Sequence, residues 1–169
     1  QYTRDLLFST VFDLMLSVVC QQKSSVHEAY RQSDEEIGAS ITAVYNKLSG
    51  ISTETSAKLV REIAGRCEHI IRELNGKRPE LLEGFNVKML DGNWLESSER
   101  RLKVLRDQSP GPLPGKSLVV FSPALGLAID VFPCEDGHAQ ERSLMPEVLE
   151  SVEKDDLWIA DRNFCTIGT

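Results

Sequence analysis

Two short stretches of this 169-residue chain end a largely apolar run in groups that could hold a cation. Val87-Lys88-Met89-Leu90 leads into Asp91-Gly92-Asn93, and Leu157-Trp158-Ile159-Ala160 leads into Asp161-Arg162-Asn163. If the two runs are parallel neighbours in an open sheet, their carboxyl ends share one edge, where ligands gather. Two adjacent carboxylates repel each other unless a cation sits between them. A hard divalent ion such as Mg²⁺ or Mn²⁺ takes such oxygen ligands, keeps waters and leaves room for phosphate oxygens. The plainer alternative is that Asp-Gly is a turn signal and that a strand-end Asp caps a helix.

The elements that must position these residues lie in the second half of the chain. "NVKMLDGN" (86–93) predicts a strand that ends in a turn. "KSLVVFSP" (116–123) and "LGLAIDVFP" (125–133) predict two more strands, joined as a hairpin through Pro123-Ala124. "AQERSLMPEVLESVEK" (139–154) predicts a helix with Leu144, Val148, Leu149 and Val152 on one stripe, its first turn broken or shifted by Pro146. The apolar run 157–160 has the pattern of a strand buried on both faces. Strand, hairpin, helix, strand requires a crossover, so the last strand is expected parallel to an earlier one. "GPLPG" (111–115) reads as a rigid loop after a basic stretch with Arg100, Arg101, Lys103 and Arg106.

The first half has a helical period. Leu6, Leu7, Val11, Leu14, Met15, Val18 and Val19 recur at three- and four-residue steps. Ser25-Val26-His27-Glu28 and Ser33-Asp34-Glu35-Glu36 both fit a capping box. After the second box, Ile37, Ile41, Val44, Tyr45 and Leu48 fall on one helix face, with Gly50 as a stop. A third helix from about Thr53 to Asn75-Gly76 carries Leu59, Ile63, Cys67, Ile70 and Leu74 on one side. The expected division is a helical region over 1–78 and a sheet-bearing domain over 79–169. "LSGIST" between two helices invites a helix-turn-helix reading. Lys58, Arg61, Arg66 and Arg72 are however matched by Glu54, Glu62, Glu68 and Glu73, which fits salt-paired solvated faces better than base reading.

The net charge of −7 argues against a self-sufficient nucleic-acid binder. Cys20, Cys67, Cys134 and Cys165 form no C-x-x-C pair, so reduced thiols are expected rather than disulfides or zinc. An approach of Cys134, His138 and Cys165 is the weak exception. The stretch 6–19 is interrupted by Asp13 and falls short of the roughly 20 residues that span a bilayer. No membrane partner is expected, and the unpaired cysteines set a cytoplasmic location as the expectation. There is no signal peptide, and the start at Gln1 looks like a cut.

"VKMLDGN", "LPGKSLVVFSPALGLAIDVFPCEDGHAQERSL" and "DLWIADRNFCT" resemble the catalytic domain of bacterial insertion-sequence transposases of the DDE type. "RDLLFSTVFDLMLSVV" resembles the helical region that precedes it. The resemblance implies an α+β fold, with a helical N-terminal region followed by an incomplete ribonuclease-H-like mixed β-sheet. It also implies metal-dependent cleavage and strand transfer at transposon ends, with DNA as partner, a homodimer on DNA and a nucleoid-associated bacterial location. On this resemblance Asp91 and Asp161 are the first two acids and hold Mg²⁺ or Mn²⁺. On the same resemblance Arg162 pairs with a DNA phosphate and Asn93, on the nucleic-acid side, bonds the backbone or orients a water; the plainer alternatives are a salt bridge for Arg162 and a turn for Asn93. The family's third acid, a downstream Glu, has no counterpart before Thr169, so the chain looks truncated within its catalytic domain. Glu141, Glu147 and Glu150 come before the second Asp, in the wrong order for that role, and read as a solvated helix face. Two alternatives stay open: a ribonuclease-H-like nuclease without strand transfer, and a non-catalytic DNA-binding or assembly module.

Overall fold

The computed structural model describes residues 6–98, 113–134, 136 and 139–164. The basic stretch 100–106, Gly111-Pro112, His138 and Cys165 lie outside the described residues. The chain divides into two compact units, Gln1–Ile51 and Ser52–Thr169.

The first unit holds α1 (Phe8–Val19), α2 (Val26–Ile37) and α3 (Ile41–Gly50). Val11 and Leu14 of α1 pack with Ala29, Tyr30, Ile37 and Val44 into one apolar cluster closed by Leu6. The Ser25 side chain caps α2 by accepting from the Glu28 amide. Glu28 does not return the bond to Ser25; its carboxylate accepts from the amide and hydroxyl of Ser24 at 2.8 and 2.6 Å. The second expected capping box starts no helix. Ser33 to Glu36 lie inside α2, which runs on to Ile37 and stops at Gly38 in the left-handed region (φ 62°). Ser40 then caps α3 by accepting from the Ala43 amide. A glycine that can take positive φ, followed by a better-placed serine, overrides the Ser33 signal. Ile37 therefore belongs to α2, not to the α3 face.

The second unit starts with α4 (Thr53–Glu73) and continues as β1 (Asn86–Ser98), β2 (Leu113–Ser122), β3 (Leu127–Cys134), α5 (Met145–Glu150) and β4 (Asp156–Ala160). The sheet order is β3-β2-β1-β4. β1–β2 and β2–β3 are antiparallel, and β4 runs parallel to β1 as the crossover rule requires. With its helices and this mixed sheet, the protein is α+β. Among the described residues no helix is long and apolar enough to cross a membrane.

Several local expectations are corrected. β1 does not end at Asp91-Gly92-Asn93; those residues pair with Val119, Leu118 and Ser117, and the strand runs on to Ser98. The ladder with β2 satisfies the backbone that a turn would have left to solvent. Leu113 to Gly115, expected in a loop, belong to β2. The predicted helix 139–154 is a 3₁₀ turn (Glu141–Leu144) followed by only six residues of α5, with Pro146 in its first turn. Leu144 and Val148 are buried, whereas Leu149, on another side of α5, is 63% exposed and Val152, beyond the helix end at Glu150, is 45% exposed.

α4 also turns a different face to the sheet than its apolar stripe suggests. Ala57 and Ala64 are its buried residues, while Ile63, Ile70 and Leu74 stand exposed. Arg61, on the buried side, bonds Asp130 of β3 at 2.6 Å and lies over the Phe132 ring. Small alanines let the helix axis approach the strand, and the guanidinium covers the aromatic ring as an apolar side chain would. The helical region of the sequence thus continues through α4, but α4 is part of the sheet-bearing unit.

The sheet core gathers Leu90, Leu118, Val120, Phe132, Leu144, Val148 and Phe164. Leu118 has no exposed surface. Leu118→Ala is expected to cost about 2–5 kcal/mol by urea denaturation. Ile70→Ala, on the exposed stripe of α4, should cost roughly 0.5 kcal/mol or less. Equal losses would contradict the outward orientation of that stripe.

Glu28 supplies a pH test for the first unit. The Ser24 hydroxyl, and then its amide, hold the Glu28 carboxyl below the ordinary glutamate range. Because the folded value is the lower one, the stabilisation is full at neutral pH and is lost as pH falls through the depressed value. Ser24→Ala should flatten the acid limb of the stability–pH curve, and an unchanged limb would mean that the bond is not kept in solution.

Candidate functional site

The last residue pair of the parallel β1–β4 ladder is Leu90 with Ala160. The next residue on each strand is an aspartate, Asp91 on β1 and Asp161 just beyond β4, and both are exposed. Neighbouring strands lie about 4.8 Å apart, so the two carboxylates leave the sheet from adjacent positions.

The hydrogen bonds leave each carboxylate an oxygen to offer. Asp91 Oδ1 accepts from the Gly92 amide at 2.9 Å. Asp161 Oδ1 accepts from the Asn163 amide at 2.8 Å and so caps the 3₁₀ turn Arg162–Phe164. Capping and metal binding are compatible here, because each uses a different oxygen. As hard oxygen donors the pair fits Mg²⁺ or Mn²⁺ in chemical type. In number it supplies two ligands. Among the described residues no group of three His, Cys, Asp or Glu side chains converges to hold a metal.

Asn93 is exposed on β1, two residues beyond Asp91, and so leaves the strand on the same face. Arg162 is exposed at the start of the 3₁₀ turn, next to Asp161. The four residues singled out by sequence thus cluster where the β1–β4 ladder stops.

Two further residues reach this edge: Glu141, which the sequence placed on a solvated helix face, and Arg142, which the sequence did not single out. An added Cβ at Gly92 would lie 2.5 Å from Glu141 Oε1 and 2.8 Å from its Cδ, so the Glu141 carboxylate occupies the space a side chain would fill. Glu141 is half-buried, not part of a solvated helix face. Arg142 Nε donates to the Asn163 carbonyl at 2.7 Å, tying the crossover to the turn that carries Asp161 and Arg162. The signal was Gly92 itself. A glycine inside a strand often marks close approach of another group, whereas Asp-Gly read as a turn hid it.

Comparison with known protein families, curated proteins and solved structures returned no match.

The Gly92 contact yields a test. Alanine there meets only the far end of the flexible Glu141 side chain, which can swing aside, so Gly92→Ala should cost under about 1 kcal/mol in chemical denaturation. Gly92→Val must also displace the 3₁₀ turn and should cost about 1–3 kcal/mol. Identical stabilities for the two variants would show that Glu141 does not rest on Gly92.

Proposed function

We propose that this chain carries the first part of the catalytic domain of a DDE-type DNA transposase, in which Asp91 and Asp161 hold Mg²⁺ or Mn²⁺ for cleavage and strand transfer of DNA at transposon ends. The observation that carries the reading is the adjacency of Asp91 and Asp161 directly beyond the last β1–β4 pair. The β3-β2-β1-β4 order, with a helical crossover before β4, supports a ribonuclease-H-like sheet.

When bound, the metal would activate a water or 3′-hydroxyl and stabilise the leaving oxygen of an in-line displacement. The chain's own residues then have simple tasks. Asp91, held mid-strand by its ladder to Val119, presents a carboxylate from a rigid position. Asp161 presents a second from a capped turn that fixes its backbone. The planar fork of Arg162, exposed beside Asp161, suits a bidentate pair with a phosphate and so would register the DNA against the carboxylates. Asn93 would orient a water or contact the nucleic-acid backbone from the same strand face.

A second reading, a non-catalytic DNA-binding or assembly module, is favoured by one fact: no third carboxylate joins the pair among the described residues. Calorimetric titration with Mn²⁺ separates the two. The transposase reading expects Mn²⁺ binding that Asp91→Ala and Asp161→Ala each abolish, and binding indifferent to both substitutions would overturn it. Arg162→Ala should leave Mn²⁺ affinity intact while weakening DNA binding uniformly across sequences and lowering the salt slope by about 1.

A further inference from the structure

The parallel ladder that sets Asp91 beside Asp161 is only five residue pairs long. Its register is poorly specified by hydrophobic pattern. Leu157, Trp158, Ile159 and Ala160 are all apolar, so a slip of one residue exchanges one apolar set for another on each face. Backbone bonding does not discriminate either, because parallel ladders have evenly spaced bonds. Each residue of slip would carry Asp161 about 3.3 Å along the strand, and two would carry it about 6.6 Å, more than paired ions could bridge.

One polar interaction does distinguish the registers. Lys88 Nζ of β1 bonds Asp156 Oδ2 of β4 at 2.7 Å, with side chains 15% and 1% exposed. Lys88 stands opposite Trp158 in the ladder and lies over its ring, 5.4 Å from the centroid. The bond is therefore diagonal: a one-residue slip turns Asp156 to the other face of the sheet, and a slip that draws Asp156 away from Lys88 breaks it. The same Asp156 oxygen accepts from the Glu153 amide at 2.8 Å, which also fixes where the incoming turn meets the strand. As a source of stability the pair is poor. Asp156 Oδ1 and Trp158 Nε1 are buried with no hydrogen-bond partner, and a buried ion pair often does no better than apolar side chains of similar volume. Its distinctive effect is to penalise one-residue slips and slips that draw the two groups apart, which strand a buried charge.

We propose that Lys88 and Asp156 are positioning residues that lock the β1–β4 register and so hold Asp91 beside Asp161. The consequence for metal binding rests on the reading of those two aspartates given above, whereas the register itself can be measured without metal.

The experiment uses the 169-residue chain. Interstrand backbone NOEs should give a single set matching Leu90 with Ala160. In Lys88→Met/Asp156→Asn, where the asparagine oxygen still accepts from the Glu153 amide, the NOEs should double or shift by one or two residues. The thermal midpoint should stay close to that of the parent. Mn²⁺ affinity should fall about tenfold or more, as when an outer support of a metal ligand is removed. Lys88→Arg, which keeps the charge opposite an intact Asp156, should retain the single register and the affinity. If the double variant does not fold, Asp156→Asn alone takes its place with the same criteria, since Lys88 can extend its ammonium to solvent. A single, unshifted set of NOEs in the neutralised variant would overturn the proposal. Register heterogeneity in the variant, with no Mn²⁺ binding by the parent chain, would uphold the lock and remove the metal reading instead.

Discussion

Five consecutive backbone pairs between β1 and β4, from Asn86–Asp156 to Leu90–Ala160, are the constraint on which the sheet-bearing unit depends. Parallel strands cannot be joined by a tight turn, so this pairing demands the crossover through the 3₁₀ turn and α5. That crossover has few residues with which to hold itself down. Leu144 and Val148 bury themselves against Leu90, Leu118, Val120 and Phe132, and Arg142 bonds the carbonyl of Asn163. The packing that covers one sheet face and the placement of Asp161 are therefore one event. Loosening the crossover would release the strand end as well as the core.

The same sheet face shows how charge is accommodated where apolar side chains are scarce. β3 and β4 each carry an Asp two residues before an aromatic ring, Asp130 before Phe132 and Asp156 before Trp158. In both cases a cation bonds the aspartate and lies over the ring: Arg61 of α4 in the first, Lys88 of β1 in the second. Alternation puts the two side chains of each Asp-x-aromatic segment on one face, so one cation can serve both. The two arrangements differ in weight. Arg61 is 46% exposed, and its pair is screened by solvent, whereas the Lys88–Asp156 pair is buried and responds sharply to misplacement.

What could be read from the sequence follows from the range of the interactions involved. The switch from helical to strand period, the hairpin closed near Pro123 and the parallel return of the last strand rest on local patterns and on a general rule of connection, and the structure agrees with them. Local signals failed where a distant partner decided the outcome. Asp91-Gly92-Asn93 carries turn residues, but β2 supplies a ladder that keeps the segment extended. The apolar stripe of α4 looked like a core face, yet the strand beside it accepts Ala57, Ala64 and Arg61 instead. Ser33 had the composition of a cap and lost to Gly38 and Ser40. For the candidate site, Asp91, Asp161, Asn93 and Arg162 were legible because their types recur at the ends of two apolar runs. Glu141, Lys88 and Asp156 were not, since their roles depend on which residue lies across a strand and no spacing along the chain encodes that.

The failure at Asp91 changes the physical picture of the site. A carboxylate on a turn would move with the turn. Asp91 instead sits within a continuous strand whose ladder to β2 extends on both sides of it, through Leu90–Val120 and Gly92–Leu118. On its other flank the ladder to β4 has just ended, so the backbone is held on one edge and open on the other. Asp161 complements this, because it leaves the sheet at that opening and is held by its own capping bond. One acid is held by long-range pairing and the other by a local turn, at adjacent positions just past the last β1–β4 pair.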